Sequence, residues 1–203
     1  MQNDNVIQYN TEYGFYKERI NEKKTKEYAI FSSIATRCNS NNLAYLNIHI
    51  DERFKDFQFF ASWCHKQKGF GLEDYQMDKD ILIDGNTIYS PDVSVFVPRS
   101  INNLFVRKQK RKDYPCGVRF DKNVTSKNKF RADISIDNVK LSKRFSTADE
   151  AFDYYLTLKL EEIHRKAEAY KETIDNRVHE KMMSYTMDSL RKQCIKNKFN
   201  TDE

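Results

Sequence analysis

Residues 129–136, Lys129-Phe130-Arg131-Ala132-Asp133-Ile134-Ser135-Ile136, alternate polar and apolar side chains without a break. A strict period of two marks a strand with one buried face and one face left to solvent or a partner. Runs of similar character flank it, Gly117-Val118-Arg119-Phe120 before and Val139 to Phe145 after, separated by Asn, Ser and Asp turn residues. Phe145-Ser146-Thr147-Ala148-Asp149-Glu150 then opens a helix. Thr147 and Glu150 have capping-box spacing, and Ala151, Tyr154, Tyr155 and Leu158 run along one side. The pattern predicts a small α+β unit in which a helix covers the apolar face of three antiparallel strands.

The charge distribution singles out the same region. Within a net charge of +5, residues 99–144 carry +10, residues 1–98 carry −3 and residues 145–203 carry −2. A cationic block between two slightly acidic ones is the footprint that a phosphate backbone attracts. Arg107, Lys108, Lys110 and Arg111 lie in a stretch without periodicity, 99–113, which reads as a basic linker. The mean hydropathy of −0.83 and the lack of any uncharged apolar run near the roughly 20 residues of a bilayer span predict no membrane segment. No secretory signal pattern opens the chain, so a cytoplasmic location is expected. Cys38, Cys64, Cys116 and Cys194 form no C-x-x-C pair, and with His49 and His65 they match no zinc spacing.

Upstream, residues 1–26 read as an arm. Tyr28, Ile30, Phe31, Ile34, Ala35 and Cys38 predict a helix over 27–38, and Leu43 to Ile50 a strand. A second helix is expected over 51–67, with Phe54, Phe57, Phe60, Ala61 and Cys64 in its core. In the stretch Met77 to Pro98, an extended segment over 77–82 carries Asp78 and Asp80 on one face, Asp84-Gly85-Asn86 is a turn signal, and Ser90-Pro91-Asp92 a helix start. Strand, turn and helix in that order would let Asp78, Asp80 and Asp92 share an oxygen-coordinated Mg2+ ion. The same aspartates could instead cap turns and helix ends. Downstream, Ile163, Ala167, Tyr170, Ile174, Val178, Met182 and Tyr185 recur at three or four residues within 149–196, which lacks Gly and Pro. This predicts a long C-terminal helix that either folds back on the chain or forms a homodimer.

Two stretches resemble known families. Residues 77–98 are similar, in degraded form, to the core of HNH nucleases. That resemblance implies catalytic roles around Asp78, Lys79 and Asp80, with Asp78 as metal ligand, but Lys79 stands where the general-base His is usual and Val93 where a second ligand belongs. A lysine holds a phosphate more readily than it accepts a proton. Gly117-Val118-Arg119, Lys129-Phe130-x-Ala132-x-Ile134 and Phe145-x-Thr147-x-x-Glu150-Ala151 resemble the AP2 DNA-binding domain over residues 114–160. That resemblance implies a sheet face set in the major groove, with Arg119, Lys129 and Arg131 as leading contacts and Ser135, Lys143 and Arg144 beside them.

The expected organisation is therefore α+β: a helical region over 1–98 containing a small HNH-like ββα element at 77–98, a basic linker over 99–113, an AP2-like sheet and helix over 114–160, and a helical extension over 161–203. The order is similar to phage HNH and AP2 homing-endonuclease-like proteins. It implies sequence-selective binding of double-stranded DNA in an infected bacterial host, with Mg2+-dependent cleavage weak or lost. The alternatives are a non-catalytic DNA-binding regulator and a protein-interaction module built on the C-terminal helix.

Overall fold

The computed structural model describes residues 16–40, 47–105 and 114–199. The chain divides into two compact units, Met1–Phe105 with Lys171–His179 and Val106–Tyr170 with Glu180–Glu203. Both mix helices with small sheets, in agreement with the α+β expectation. Among the described residues no helix is long and apolar enough to cross a membrane.

The first described element is a two-stranded hairpin, β1 (Arg19–Ile20) and β2 (Lys23–Lys24), inside the stretch 1–26 expected as an arm, of which 1–15 lie outside the described residues. Helix α1 (Lys26–Cys38) follows, capped by Thr25, whose side chain accepts the Tyr28 N–H. Of the strand expected over 43–50, residues 43–46 lie outside the described residues, and β3 covers His49–Ile50 and pairs in parallel with β5 (Ile88–Tyr89). The helix expected over 51–67 is two pieces, a 3-10 turn at Glu52–Lys55 and α2 (Phe57–His65). Asp56 breaks it: its carboxylate accepts the Gln58 N–H at 2.8 Å and caps α2 from the middle of the expected helix. The core of this unit is aromatic, with Phe31, Phe54, Phe57, Phe60 and Phe96 all at most 1 % exposed. Trp63 sits against Phe54 at 4.8 Å and against Phe96 at 5.8 Å between ring centroids.

The stretch 77–98 departs from the expected strand, turn and helix. Strand β4 (Tyr75–Asp78) pairs antiparallel with β6 (Val95–Pro98), and residues 91–93 are a turn. Ser90 and Ser94 close that turn: the Ser94 N–H donates to the Ser90 carbonyl at 3.0 Å, and the Ser90 N–H to the Ser94 hydroxyl at 3.2 Å. The β-branched and aromatic run Val95-Phe96-Val97 then enters the core as a strand rather than continuing a helix. The expected linker begins instead with α3 (Arg99–Phe105), which buries Ile101.

In the second unit, β7 (Val118–Phe120), β8 (Phe130–Ile136) and β9 (Val139–Phe145) form an antiparallel sheet in sequence order. Asp137 and Asn138 join β8 to β9 with φ of 47° and 67°, the positive pair that a tight two-residue hairpin requires. Helix α4 (Ala148–Ala169) starts at the full Thr147–Glu150 capping box. It covers the sheet face of Val118 and Ala132 with Ala151, Phe152, Leu156 and Ile163, all buried. At the hairpin tip, Asp137 takes Arg165 at 2.6 Å and Lys166 at 3.0 Å, and Lys166 also reaches the buried Glu162 at 3.3 Å.

The expected long C-terminal helix is α4, α5 (Asn176–Met183) and α6 (Met187–Phe199). Side-chain caps make the breaks. Asp175 accepts the Arg177 N–H at 2.8 Å, and Thr186 and Ser189 exchange hydroxyl and N–H bonds at 2.9 and 3.2 Å. Ile163, Ala167, Ile174, Val178 and Met182 are each 0 % exposed within the single chain, so five of the seven members of the apolar stripe offered for a homodimer are already covered, while Tyr170 and Tyr185 are half-buried. The division between the units falls inside α5, after His179.

Candidate functional site

Asp78, Lys79 and Asp80 do come together, in the wall of a cleft of about 210 Å3 that Arg37, Ile48, Met77, Tyr89 and Asn102 also line. The loop holding them is internally bonded. The Asn86 amide donates to the Lys79 and Ile88 carbonyls at 2.7 Å each, and the Lys79 ammonium donates to the Asn86 carbonyl and to Asp80 Oδ1 at 2.6 Å each. Lys79 is 8 % exposed. Asp78 Oδ1 accepts the Asp80 and Ile81 N–H groups at 2.7 Å each. Burial raises the Asp78 carboxyl above its ordinary pKa, against the lowering effect of those two N–H groups and the Lys79 charge.

Asp92, the third expected ligand, is not in that wall. It pairs with Arg53 at 2.5 Å, and its carbonyl accepts from Arg177 at 2.5 Å. Among the described residues no three His, Cys, Asp or Glu side chains form a group that could hold a metal ion. Asp78 is tied into a turn, Asp80 into an ion pair with Lys79, and Asp92 into one with Arg53, so these residues do not fit the Mg2+ site expected of them. Burial pushes the Cys38 thiol up to about 11 and raises that of Cys64 as well, and Tyr16 stacks on His65 at 5.0 Å.

The sheet of the second unit gathers more of the expected residues. Register places Arg119 opposite Arg131 and Arg131 opposite Arg144, one row of three guanidinium groups across three strands. Since side chains on cross-strand partners share a face, the row lies on the side away from α4. Alternation puts Lys129 and Ser135 on the same side, and Ser135 faces Lys140. Lys143 falls on the other side. It is paired with Ala132, and its ammonium sits 5.0 Å from the Tyr154 ring centroid of α4, which removes it from the outer face. Arg107, Lys108, Lys110 and Arg111 lie outside the described residues.

Asp121, Lys140 and Ser142 also belong to this face without having been expected there, and Asp133, which the alternation does place on it, was not among the expected contacts. Arg119 Nε is 3.2 Å from Asp133, Arg131 is 3.2 Å from both Asp133 and Asp121, and Arg144 Nη1 is 2.7 Å from Asp121. Ser142 donates its hydroxyl to Asp133. Burial opposes ionisation of Asp133, but the Ser142 hydroxyl and the charges of Arg131, Lys140 and Arg119 outweigh it and hold the carboxyl below its ordinary range. A period of two counted from Arg131 and Arg144 would have found all but Asp121, which lies two residues beyond Arg119. Chemically, the face is a plane of arginine forks whose outward N–H groups can meet phosphate oxygens or the O6 and N7 atoms of guanine.

Comparisons with protein families, with curated proteins and with solved structures found no match for this chain.

Proposed function

We propose that this chain binds double-stranded DNA through the outer face of the β7–β9 sheet, as a non-catalytic relative of the phage homing-endonuclease type. The observation that carries the reading is the Arg119–Arg131–Arg144 row on the uncovered side of a three-stranded sheet whose other side is packed against a helix. The AP2 resemblance of residues 114–160 supports the reading, and the +10 block around the row would supply the attraction for phosphates. Lys140, Lys129 and Ser135 extend the row along the strands. The Lys79–Asp80 pair, in the cleft where the nuclease resemblance puts its chemistry, favours binding without cleavage.

Fluorescence anisotropy with labelled duplex DNA tests the reading. Arg119→Ala with Arg144→Ala is expected to weaken binding at least tenfold, since each guanidinium contact is worth about 1–3 kcal/mol, and to flatten the dependence on salt. Unchanged affinity would place the interface elsewhere. Supercoiled plasmid incubated with Mg2+ is expected to stay intact beside an Asp78→Ala control. Nicking that depends on both Mg2+ and Asp78 would overturn the non-catalytic assignment.

A further inference from the structure

The outer face of the sheet is not simply cationic. Arg119, Asp133, Arg131, Asp121 and Arg144 form an unbroken alternation of charge across three strands, with one carboxylate beside each of Arg119 and Arg144 and one on either side of Arg131. Asp133 lies at the centre of the sheet, its N–H donating to the Gly117 carbonyl at 2.8 Å and its side chain only 9 % exposed. Asp121 is more open, at 24 %. These contacts take Nε of Arg119, leaving its Nη groups; they take Nε and Nη1 of Arg131, leaving Nη2; and they take Nη1 of Arg144.

We infer that Asp133 and Asp121 are positioning residues that set base selectivity on this face, by fixing the planes of the three arginine forks and by removing charge that would otherwise favour any duplex. The inference rests on the reading of the face as a DNA-binding surface. A guanidinium on a free side chain meets phosphates in many geometries, and its contact carries no sequence information. Held by a carboxylate, the same group presents a fixed plane, and a fixed plane can match guanine O6 and N7 together while failing on other bases. The ordering is done before DNA arrives, so less freedom is lost on binding. A carboxylate as covered as Asp133 cannot itself accept from cytosine N4, so it acts through Arg119 and Arg131.

The test uses the full chain. Wild-type protein selects its preferred site from a pool of random-sequence duplexes, and affinities for that duplex and a shuffled one are then measured across a salt series. Asp133→Asn keeps the side chain's size and can still accept from Ser142. It is expected to bind the shuffled duplex more tightly, to steepen the log–log salt slope by about one, and to lower the preference for the selected duplex roughly tenfold. Asp133→Glu restores the charge but shifts the carboxylate by a methylene, so it is expected to recover the salt slope and not the preference. Asp121→Asn carries the same test for Arg131 and Arg144, on a more exposed residue, if Asp133→Asn does not fold. An unchanged preference in the folded Asn variants, full preference in Asp133→Glu, or a wild type that binds without selecting any sequence would each overturn this inference and leave DNA binding standing. A wild type that binds no duplex at all would overturn both.

Discussion

Asp78 and Asp133 titrate in opposite senses, and each sense has a consequence for stability. The Asp78 carboxyl is raised, chiefly by burial. Unfolding therefore lets it ionise more easily, and its contribution is fully present below the unfolded value of about 3.9 and lost as pH rises through the folded value. Asp78→Asn keeps an oxygen for the two N–H groups and has no charge to desolvate. Thermal unfolding should show a higher Tm than wild type near pH 7, with the difference closing toward about pH 4. Asp133 is held low, so its contribution is present above the unfolded value and lost as pH falls through the folded one. Gly117 is constrained differently, with φ of +76° and a side on which a Cβ would enter the Tyr155 ring of α4. Gly117→Ala combines left-handed backbone with overpacking and should cost about 2–5 kcal/mol in denaturant unfolding of this unit.

Among the elements, β8 and the start of α4 were legible because each carries a local code: strict alternation in one, capping-box spacing in the other. The arginine row was legible in its members but not in its partners. Lys143 and Arg144 are adjacent on a strand and cannot both face outward, and only the pairing of Arg144 with Arg131 decides which does. Asp121 and Asp133 gain their meaning from cross-strand neighbours, which no single segment reveals. The helices expected over 51–67 and 149–196 are broken for a common reason. Asp56, Asp175 and Thr186 bond nearby backbone N–H groups, and an apolar stripe can run through such a cap without the helix doing so. The hairpin between β8 and β9 offers a check on the turn chemistry. Asn138, with φ of 67°, should accept Gly with little change, whereas Asn138→Val should destabilise the unit by about 1–2 kcal/mol, measured by thermal unfolding.

At the scale of the whole molecule, the units do not follow the linear division into 1–98, 99–113, 114–160 and 161–203. Lys171–His179 belongs with the first unit. It brings Thr173 to the Tyr75 hydroxyl at 2.5 Å, Asn176 to Lys68 at 3.0 Å and Arg177 to the Asp92 carbonyl at 2.5 Å, and Ile174 and Val178 are fully buried. Nothing in the composition of 171–179 distinguishes it from the helices on either side, so the sequence offered no sign of this return. Ile174→Ala should cost about 2–5 kcal/mol. Its effect is expected in amide hydrogen exchange of the first unit's β4 and β6, more than seventy residues away along the chain, rather than in β7–β9. Protein synthesis runs from the N-terminus, so residues 16–105 emerge and begin to collapse without the segment that completes their unit. The β7–β9 sheet has to be made before that segment exists. A ribosome paused before residue 171 would therefore carry a first unit still short of its last piece, open to proteases and chaperones at the surface that Ile174 and Val178 later cover.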